Sequence, residues 1–309
     1  MKGDKPKLLV ILGPTASGKS KLAMDIAGSL RSEIVSADSL HVYRHFDIGT
    51  AKPTTGDREA LPHHLIDIIN PDEEFNAGRF RALARQVIDE LRGPGKKIVL
   101  VGGTYLYIKV LLSGLIEDLP ADSGIRSRLK KLRSAFGTEY IYENLKSLDP
   151  EAAAKIHPND YVRAERALEV LYLTGEKISH LQSLHEFGDR DYEYIKIGIS
   201  VEREELKRRI DSRVDKMIED GLVGEVENLR LMGYGPGLKP MQSIGYKEIN
   251  RYLDEEIGLE KAVELIKRDT RRFAKRQMTW LRRDKEITWF DLPGDYEKVL
   301  EAARAFFGE

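Results

Sequence analysis

The chain of 309 residues carries 50 Lys and Arg against 51 Asp and Glu, is 41% hydrophobic and contains no cysteine. That length and apolar content can bury a substantial core, as one large domain or two smaller ones, while the missing cysteines exclude disulfides, thiol nucleophiles and Cys-ligated zinc or iron–sulfur sites. No apolar run reaches the roughly 18 residues of a membrane span and the N-terminus has no signal-type apolar segment, so a cytoplasmic protein without membrane contact is expected. A formal net charge of −1 disfavours a polyanionic partner unless basic side chains segregate into patches.

Leu8-Leu9-Val10-Ile11-Leu12 reads as a buried strand. It runs directly into Gly13-Pro14-Thr15-Ala16-Ser17-Gly18-Lys19-Ser20, which fits G-x-x-x-x-G-K-[ST] without a mismatch, and Lys21 to Ala27 reads as the following helix. Strand, glycine-rich turn and helix N-terminus in that order form a phosphate cradle: backbone N–H groups converge, Lys19 brings a charge to the outer phosphates and Ser20 offers a hydroxyl to magnesium. The motif leaves open whether the phosphates belong to a nucleotide such as ATP.

Further apolar runs at Glu33 to Ala37, Leu65 to Ile69 and Lys97 to Val101 predict three more strands. Between the last two, Phe80, Leu83, Ala84, Val87, Ile88 and Leu91 recur at helical spacing, with Gly93-Pro94-Gly95 as the stop. Alternation of this kind predicts an α/β fold, a P-loop-containing parallel sheet covered by helices. Ligands of such sheets collect beyond the carboxyl ends of the strands, where the phosphate loop, Asp38-Ser39 and Gly102-Gly103-Thr104 should converge. Asp38 is a candidate magnesium ligand or general base, with loop capping as the alternative. Thr104 is a candidate substrate contact or a simple helix cap.

From about residue 119 to 192 the pattern is helical throughout, bounded by Pro120 and by Gly188-Asp189-Arg190-Asp191. This predicts an all-helical insertion at 119–192 within a core formed by 1–118 and 193–309. Tyr161, Arg163 and Arg166 in the insertion suit contact with an unstacked base or bent loop of RNA. Tyr194 to Ile199 returns to strand, and a long helix starts near Arg203. On that helix Arg209 and Arg213 lie four apart, beside Arg208, facing either diphosphate oxygens or, with Asp211 and Asp215, solvent. Leu259, Ala262, Val263, Ile266, Phe273 and Met278 predict the apolar face of another long helix, whose opposite side carries the pairs Lys267-Arg268, Arg271-Arg272 and Lys275-Arg276, followed by Arg282-Arg283. Such a face either neutralises an RNA backbone or is merely solvated. A short strand at Ile287 to Phe290 and a helix from Tyr296 to Phe307 close the chain.

Taken together, these strings resemble the bacterial tRNA dimethylallyltransferase (tRNA isopentenyltransferase) family. The matches are Gly13 to Ser20, Ser36-Ala37-Asp38-Ser39 with Tyr43, Asp47 to Pro53, Pro62 to Asp67, Val101 to Thr104, His157 to Asp160, Arg163 with Arg166 to Glu169, Gly245-Tyr246, and Lys275-Arg276-Gln277 with Thr279-Trp280. The resemblance implies transfer of a dimethylallyl group from dimethylallyl diphosphate to N6 of the adenine 3′-adjacent to the anticodon, with magnesium, by a monomer. It implies that Gly13, Pro14, Thr15, Ala16, Ser17, Gly18, Lys19 and Ser20 cradle the isoprenoid diphosphate, with Ser20 on the metal. Asp38 would be the catalytic base, and Thr15 and Arg213 would act on the leaving group. Contacts to the tRNA anticodon stem-loop would come from Asp38, Ser39, Leu40, His41, Thr104 and Arg126, from Val162, Arg163, Ala164, Glu165 and Arg166, and from Gln242, Ser243, Ile244, Gly245, Tyr246 and Lys247. A cysteine-free chain lacks the zinc finger that eukaryotic members can carry, which favours the bacterial type. A kinase using the same loop, a transferase acting on free adenylate and a non-catalytic RNA-binding module are the competing readings.

Overall fold

A computed structural model describes residues 5–91, 93, 96–116, 119, 121–185 and 191–308. Pro94, Gly95, Pro120 and Gly188 to Arg190, expected to mark a stop and two boundaries, lie outside the described residues. The chain divides into two units, Met1–Leu112 with Arg190–Glu309, and Ser113–Asp189.

The first unit opens with β1 (Lys7–Leu12), α1 (Lys19–Leu30), β2 (Glu33–Ser36), α2 (Thr55–Ala60), β3 (His63–His64), α3 (Ala77–Glu90), β4 (Ile98–Gly102) and α4 (Tyr105–Ser113). The second unit holds α5 (Ser123–Leu148), α6 (Pro150–Lys155), α7 (Tyr161–Thr174) and α8 (Ile178–His185). The chain then returns to the first unit with β5 (Glu193–Ser200), α9 (Arg203–Glu219), α10 (Leu222–Leu231), a 3-10 turn at Pro240–Gln242, α11 (Tyr246–Leu253), α12 (Leu259–Leu281), β6 (Ile287–Asp291) and α13 (Tyr296–Phe307).

Among the described residues six strands pair in parallel, in the order β3-β2-β4-β1-β5-β6. Because side chains alternate across a strand, β1 serves two cores. Leu8, Val10 and Leu12 pack with Phe80, Ile108, Val214, Val226, Ile249 and Ile266 from α3, α4 and α9 to α12, and Leu9 and Ile11 pack with Leu22, Ile26, Val299 and Ala303 from α1 and α13. The fold is therefore the expected helix-covered parallel α/β sheet. In the second unit Leu129, Ile141, Leu145, Ala152, Ala164 and Leu168 form a separate small core.

Two expectations need correction. The third strand is not Leu65 to Ile69 but the two residues His63–His64, paired with Ile34 and Val35. Leu65 and Asp67 take φ of 62° and 55°, which breaks extension, and the Asp67 carboxylate is held by Lys52 Nζ at 2.6 Å and Arg58 Nη1 at 2.6 Å. Phe273 does not join the apolar face of α12: it is 39% exposed, and that face is completed by Ala274 and Leu281.

Candidate active site

The sequence places a phosphate loop at the end of β1 because Ala16 and Gly18 both take left-handed φ, 62° and 90°. Gly13 is required by proximity: a Cβ there would lie 2.6 Å from Ser17 Oγ. Ser17 is itself buried, and its hydroxyl has no hydrogen-bond partner among the described residues. Gly18 caps α1 without a side-chain bond, so the first amides of α1 remain open toward the loop, a ready anion site.

The ends of β2 and β4 are locked together. Ala37 N–H donates to Val101 O at 2.7 Å, Thr104 N–H to Ala37 O at 3.3 Å, and Ser39 N–H to Thr104 Oγ1 at 3.1 Å. The Thr104 hydroxyl thus bridges two strand ends rather than capping α4. Gly102 is needed for that contact, since its Cβ would fall 2.1 Å from Ala37 O. A third tie comes from α12: Gln277 Oε1 accepts Thr15 N–H at 2.9 Å and Gln277 Nε2 donates to Gly103 O at 2.9 Å. Gln277 carries no role in the sequence reading, where its only signal is its place in the Lys275-Arg276-Gln277 string.

These elements enclose a cavity of about 460 Å³. Its lining includes Thr15, Lys19, Ser20, Asp38, Ser39, Leu40, His41, Thr104, Arg213, Gln242, Ser243, Ile244 and Gly245 of the expected site, together with Tyr43, Ile66, Phe75, Tyr107, Phe273, Arg276 and Gln277. That lining combines phosphate-loop and other polar residues with apolar side chains, Ile66, Phe75 and Tyr107 among them.

Asp38 Oδ1 accepts Leu40 N–H at 2.9 Å, and Oδ2 carries no hydrogen bond among the described residues. Burial opposes ionisation of Asp38, but His41, the Leu40 amide, Lys19 and Arg213 together outweigh it and hold the carboxyl below its usual range. Lys19 is shifted the other way, down to about 8, by burial and then by the Arg213 guanidinium, with Asp38 partly compensating. Burial likewise lowers His41, whose Nε2 faces Thr50 O at 3.4 Å and whose Nδ1 faces Ser36 Oγ at 3.3 Å. A neutral imidazole donating from Nε2 satisfies both contacts. Arg213 Nη2 donates to the same Thr50 carbonyl at 3.2 Å. Of the neighbouring Arg208, Arg209 and Arg213 on α9, Arg213 lines this cavity, whereas Arg208 and Arg209 do not and are both paired with Glu205, at 2.7 and 2.8 Å.

The segment from Gln242 to Lys247 is divided. Gln242 is exposed and Ser243 and Ile244 are half-buried, but Tyr246 is fully buried, its hydroxyl donating to Glu225 Oε1 at 2.6 Å. Its ring faces Phe46 and Gly49 rather than the cavity. Lys247 reaches Glu248 at 3.3 Å and Asp269 at 3.5 Å.

In the second unit, Val162 and Arg163 are exposed whereas Ala164 is buried, Glu165 accepts from Arg133 Nε at 2.6 Å, and both Arg126 and Arg166 bind the buried Glu169, at 2.7 and 2.6 Å. Tyr161 is covered by the Arg133 guanidinium, 3.9 Å from its ring centroid. On α12 the basic face is largely paired: Lys267 with Asp215 at 2.5 Å, Arg271 with Asp211 at 3.2 Å, and Arg268 and Arg272 with Asp269 at 2.8 and 3.6 Å. Asp211 and Asp215, expected among the solvated acids of α9, instead bind α12.

The IPP transferase family profile matches residues 41–284. A tRNA dimethylallyltransferase 2 of Geotalea uraniireducens is 50% identical over 98% of this chain and 98% of its own length, and a tRNA dimethylallyltransferase of Geobacter metallireducens is 48% identical over the same shares. Among solved structures, the full-length tRNA isopentenylpyrophosphate transferase of Bacillus halodurans is 39% identical with a TM-score of 0.72, covering 98% of this chain and 97% of its own. A eukaryotic dimethylallyltransferase acting on tRNA is 29% identical with a TM-score of 0.77, covering 93% of this chain and 74% of its own. The chain belongs to the IPP transferase family, that of the tRNA dimethylallyltransferases.

Proposed function

We propose that the crevice transfers a dimethylallyl group from dimethylallyl diphosphate to N6 of the adenine 3′-adjacent to the anticodon of tRNA, releasing diphosphate. The observation that carries this reading is one cavity lined by phosphate-loop residues, by a carboxylate with a free oxygen and by apolar side chains. Gly13 to Ser20 would cradle the diphosphate, whose oxygens would satisfy the open amides of α1 and the orphaned Ser17 hydroxyl. Lys19 and Arg213 would stabilise the charge that grows on those oxygens as the carbon–oxygen bond breaks, and the Thr15 hydroxyl would bind beside them. Ile66, Phe75 and Tyr107 would take the dimethylallyl group.

The N6 amine is a poor nucleophile because its lone pair is delocalised into the ring. Asp38 Oδ2 would accept one N6 hydrogen as the new carbon–nitrogen bond forms, raising electron density on nitrogen. The adenine must first leave its stack, at a cost of a few kcal/mol, roughly, which a loop yields more readily than a duplex.

Magnesium fits the residues present. Among the described residues no group of three His, Cys, Asp or Glu side chains could hold a metal, whereas magnesium bound with a diphosphate takes most of its oxygens from phosphate and water and few from protein. Ser20, exposed in the cavity lining, would be that ligand, and the bound ion would neutralise diphosphate charge. We read the family resemblance as favouring a monomer in the cytoplasm; no helix among the described residues is long and apolar enough to cross a membrane.

Arg126, Val162 and Arg163 in the helical unit and Gln242 in the first unit, all exposed, with the half-buried Ser243 and Ile244, would contact the anticodon stem-loop. Incubation with magnesium, unmodified tRNA and labelled dimethylallyl diphosphate tests the function. Label should enter tRNA at the adenine beside the anticodon; transfer to free AMP in preference to tRNA, or phosphate transfer from ATP without RNA labelling, would reject it.

A further inference from the structure

We infer that Glu225 is a positioning residue for the transfer, one carboxylate that holds the donor wall and the acceptor wall of the crevice in register. Glu225 sits on α10, none of whose residues lines the cavity, so its effect must pass through others. Its Oε2 accepts Asp47 N–H at 3.0 Å and Ile48 N–H at 2.6 Å, and its Oε1 accepts Gly49 N–H at 3.1 Å and the Tyr246 hydroxyl at 2.6 Å. Three successive amides converging on one anion form a nest, here filled by the protein's own carboxylate, and charge-assisted bonds of this kind are the stronger ones.

The next residue along the loop is Thr50. Its carbonyl accepts from Arg213 at 3.2 Å and faces His41 Nε2 at 3.4 Å. Fixing Asp47 to Gly49 therefore fixes the oxygen that aims Arg213 into the cavity beside Lys19 and Asp38. On the other side, Tyr246 directly follows Ser243, Ile244 and Gly245, which line the cavity. Its ring lies 4.4 Å from that of Phe46 and so close to Gly49 that a Cβ there would fall 2.6 Å from it. The same carboxylate thus anchors both segments, and the contact between them admits no side chain at position 49.

A carboxamide cannot replace this carboxylate. Both oxygens of Glu225 accept two hydrogens, and a glutamine would set an NH₂ donor against two of those donors. The inference rests on the reading that Arg213 stabilises the leaving diphosphate and that Gln242 to Lys247 faces tRNA.

The test is steady-state kinetics of the full chain with dimethylallyl diphosphate and tRNA for Glu225→Gln, Glu225→Asp, Tyr246→Phe and, as reference, Arg213→Ala, each corrected for folded fraction by thermal melting. Displacing a reacting group by about 1 Å costs on the order of 10²-fold. Glu225→Gln should lose up to that factor in kcat and raise KM for both substrates, and Glu225→Asp should recover part of the loss. Tyr246→Phe leaves the loop amides bonded, so it should raise KM for tRNA and leave KM for the donor unchanged. Wild-type kinetics in Glu225→Gln, or a loss that matches its unfolded fraction, would overturn the inference. Should that variant not fold, an unchanged tRNA KM in Tyr246→Phe does so. An Arg213→Ala enzyme with unchanged kcat would instead reject the underlying assignment, and the inference with it.

Discussion

Asp38 and Lys19 share one half-buried environment and respond to it in linked ways. Burial opposes the charge of each, but Asp38 has His41, the Leu40 N–H, Lys19 and Arg213 to offset it, whereas Lys19 has a repelling guanidinium and one carboxylate. The carboxylate therefore stays ionised throughout the neutral range, and the ammonium begins to lose its proton near pH 8. Replacing Asp38 by Asn keeps the shape and the oxygen that accepts Leu40 N–H, but removes the acceptor for N6. Turnover is expected to fall by about 10²- to 10⁴-fold with tRNA binding retained; near-wild-type turnover would remove Asp38 as the base. The substitution should also act on Lys19. A lysine is cationic below its pKa, so affinity for diphosphate should fall as pH rises through about 8 in the wild type. In the Asp38→Asn variant the compensating charge is gone, the Lys19 pKa drops further, and the loss of affinity should begin at lower pH. Calorimetric titration with inorganic diphosphate across pH 6 to 9, roughly the span around that pKa, measures this directly. A limb that stays in place would show that Asp38 does not govern Lys19.

The strands around the phosphate loop are legible in the sequence because each is a short Ile- and Val-rich run with a turn or glycine at its end, and that local pattern needs no tertiary information. Leu65 to Ile69 has the same composition and yet is not a strand, because Lys52 and Arg58 hold Asp67 in a conformation that no local pattern reports. Charges behave similarly: the row of basic pairs on α12 is visible, but their partners Asp211 and Asp215 belong to another helix. What fastens the elements at the site was the least legible, since Glu225 and Gln277 bind backbone groups more than 170 residues away. Gln277 illustrates the consequence for α12. Its two bonds connect the end of this helix to the phosphate loop at Thr15 and to the end of β4 at Gly103, with the residue 8% exposed. Gln277→Leu keeps the bulk and removes both bonds, leaving an amide and a carbonyl without partners at about 1–3 kcal/mol for each group that water cannot reach. Melting should shift down, and KM for dimethylallyl diphosphate should rise because the loop carrying Thr15 is no longer held. A variant with a lower melting temperature but an unchanged donor KM would confine Gln277 to stability.

With 50 basic and 51 acidic residues, the molecule attracts a polyanion only where its charges segregate, so the count of Lys and Arg on a face overstates its pull on RNA. Lys267, Arg268, Arg271 and Arg272 are each paired with an aspartate, whereas Lys275 and Arg276 have no ion pair among the described residues, and Arg276 lines the cavity beside the exposed ring of Phe273. A paired cation brings its counter-charge to the interface and displaces no condensed ion from a phosphate; an unpaired one does. The logarithm of the tRNA association constant should therefore fall with the logarithm of salt concentration with a shallow slope. Each cation lost from a phosphate contact should reduce it by about 0.7 to 0.9. Lys275→Ala and Arg276→Ala are expected to lower the slope by about that amount each and to weaken binding about equally for different tRNA sequences. Lys267→Ala and Arg271→Ala should leave the slope where it was and show instead a lower melting temperature, because they strand Asp215 and Asp211 without their partners. Filter binding of unmodified tRNA across a salt series separates the two groups, and equal slope losses in all four variants would mean that the ion pairs open when RNA docks.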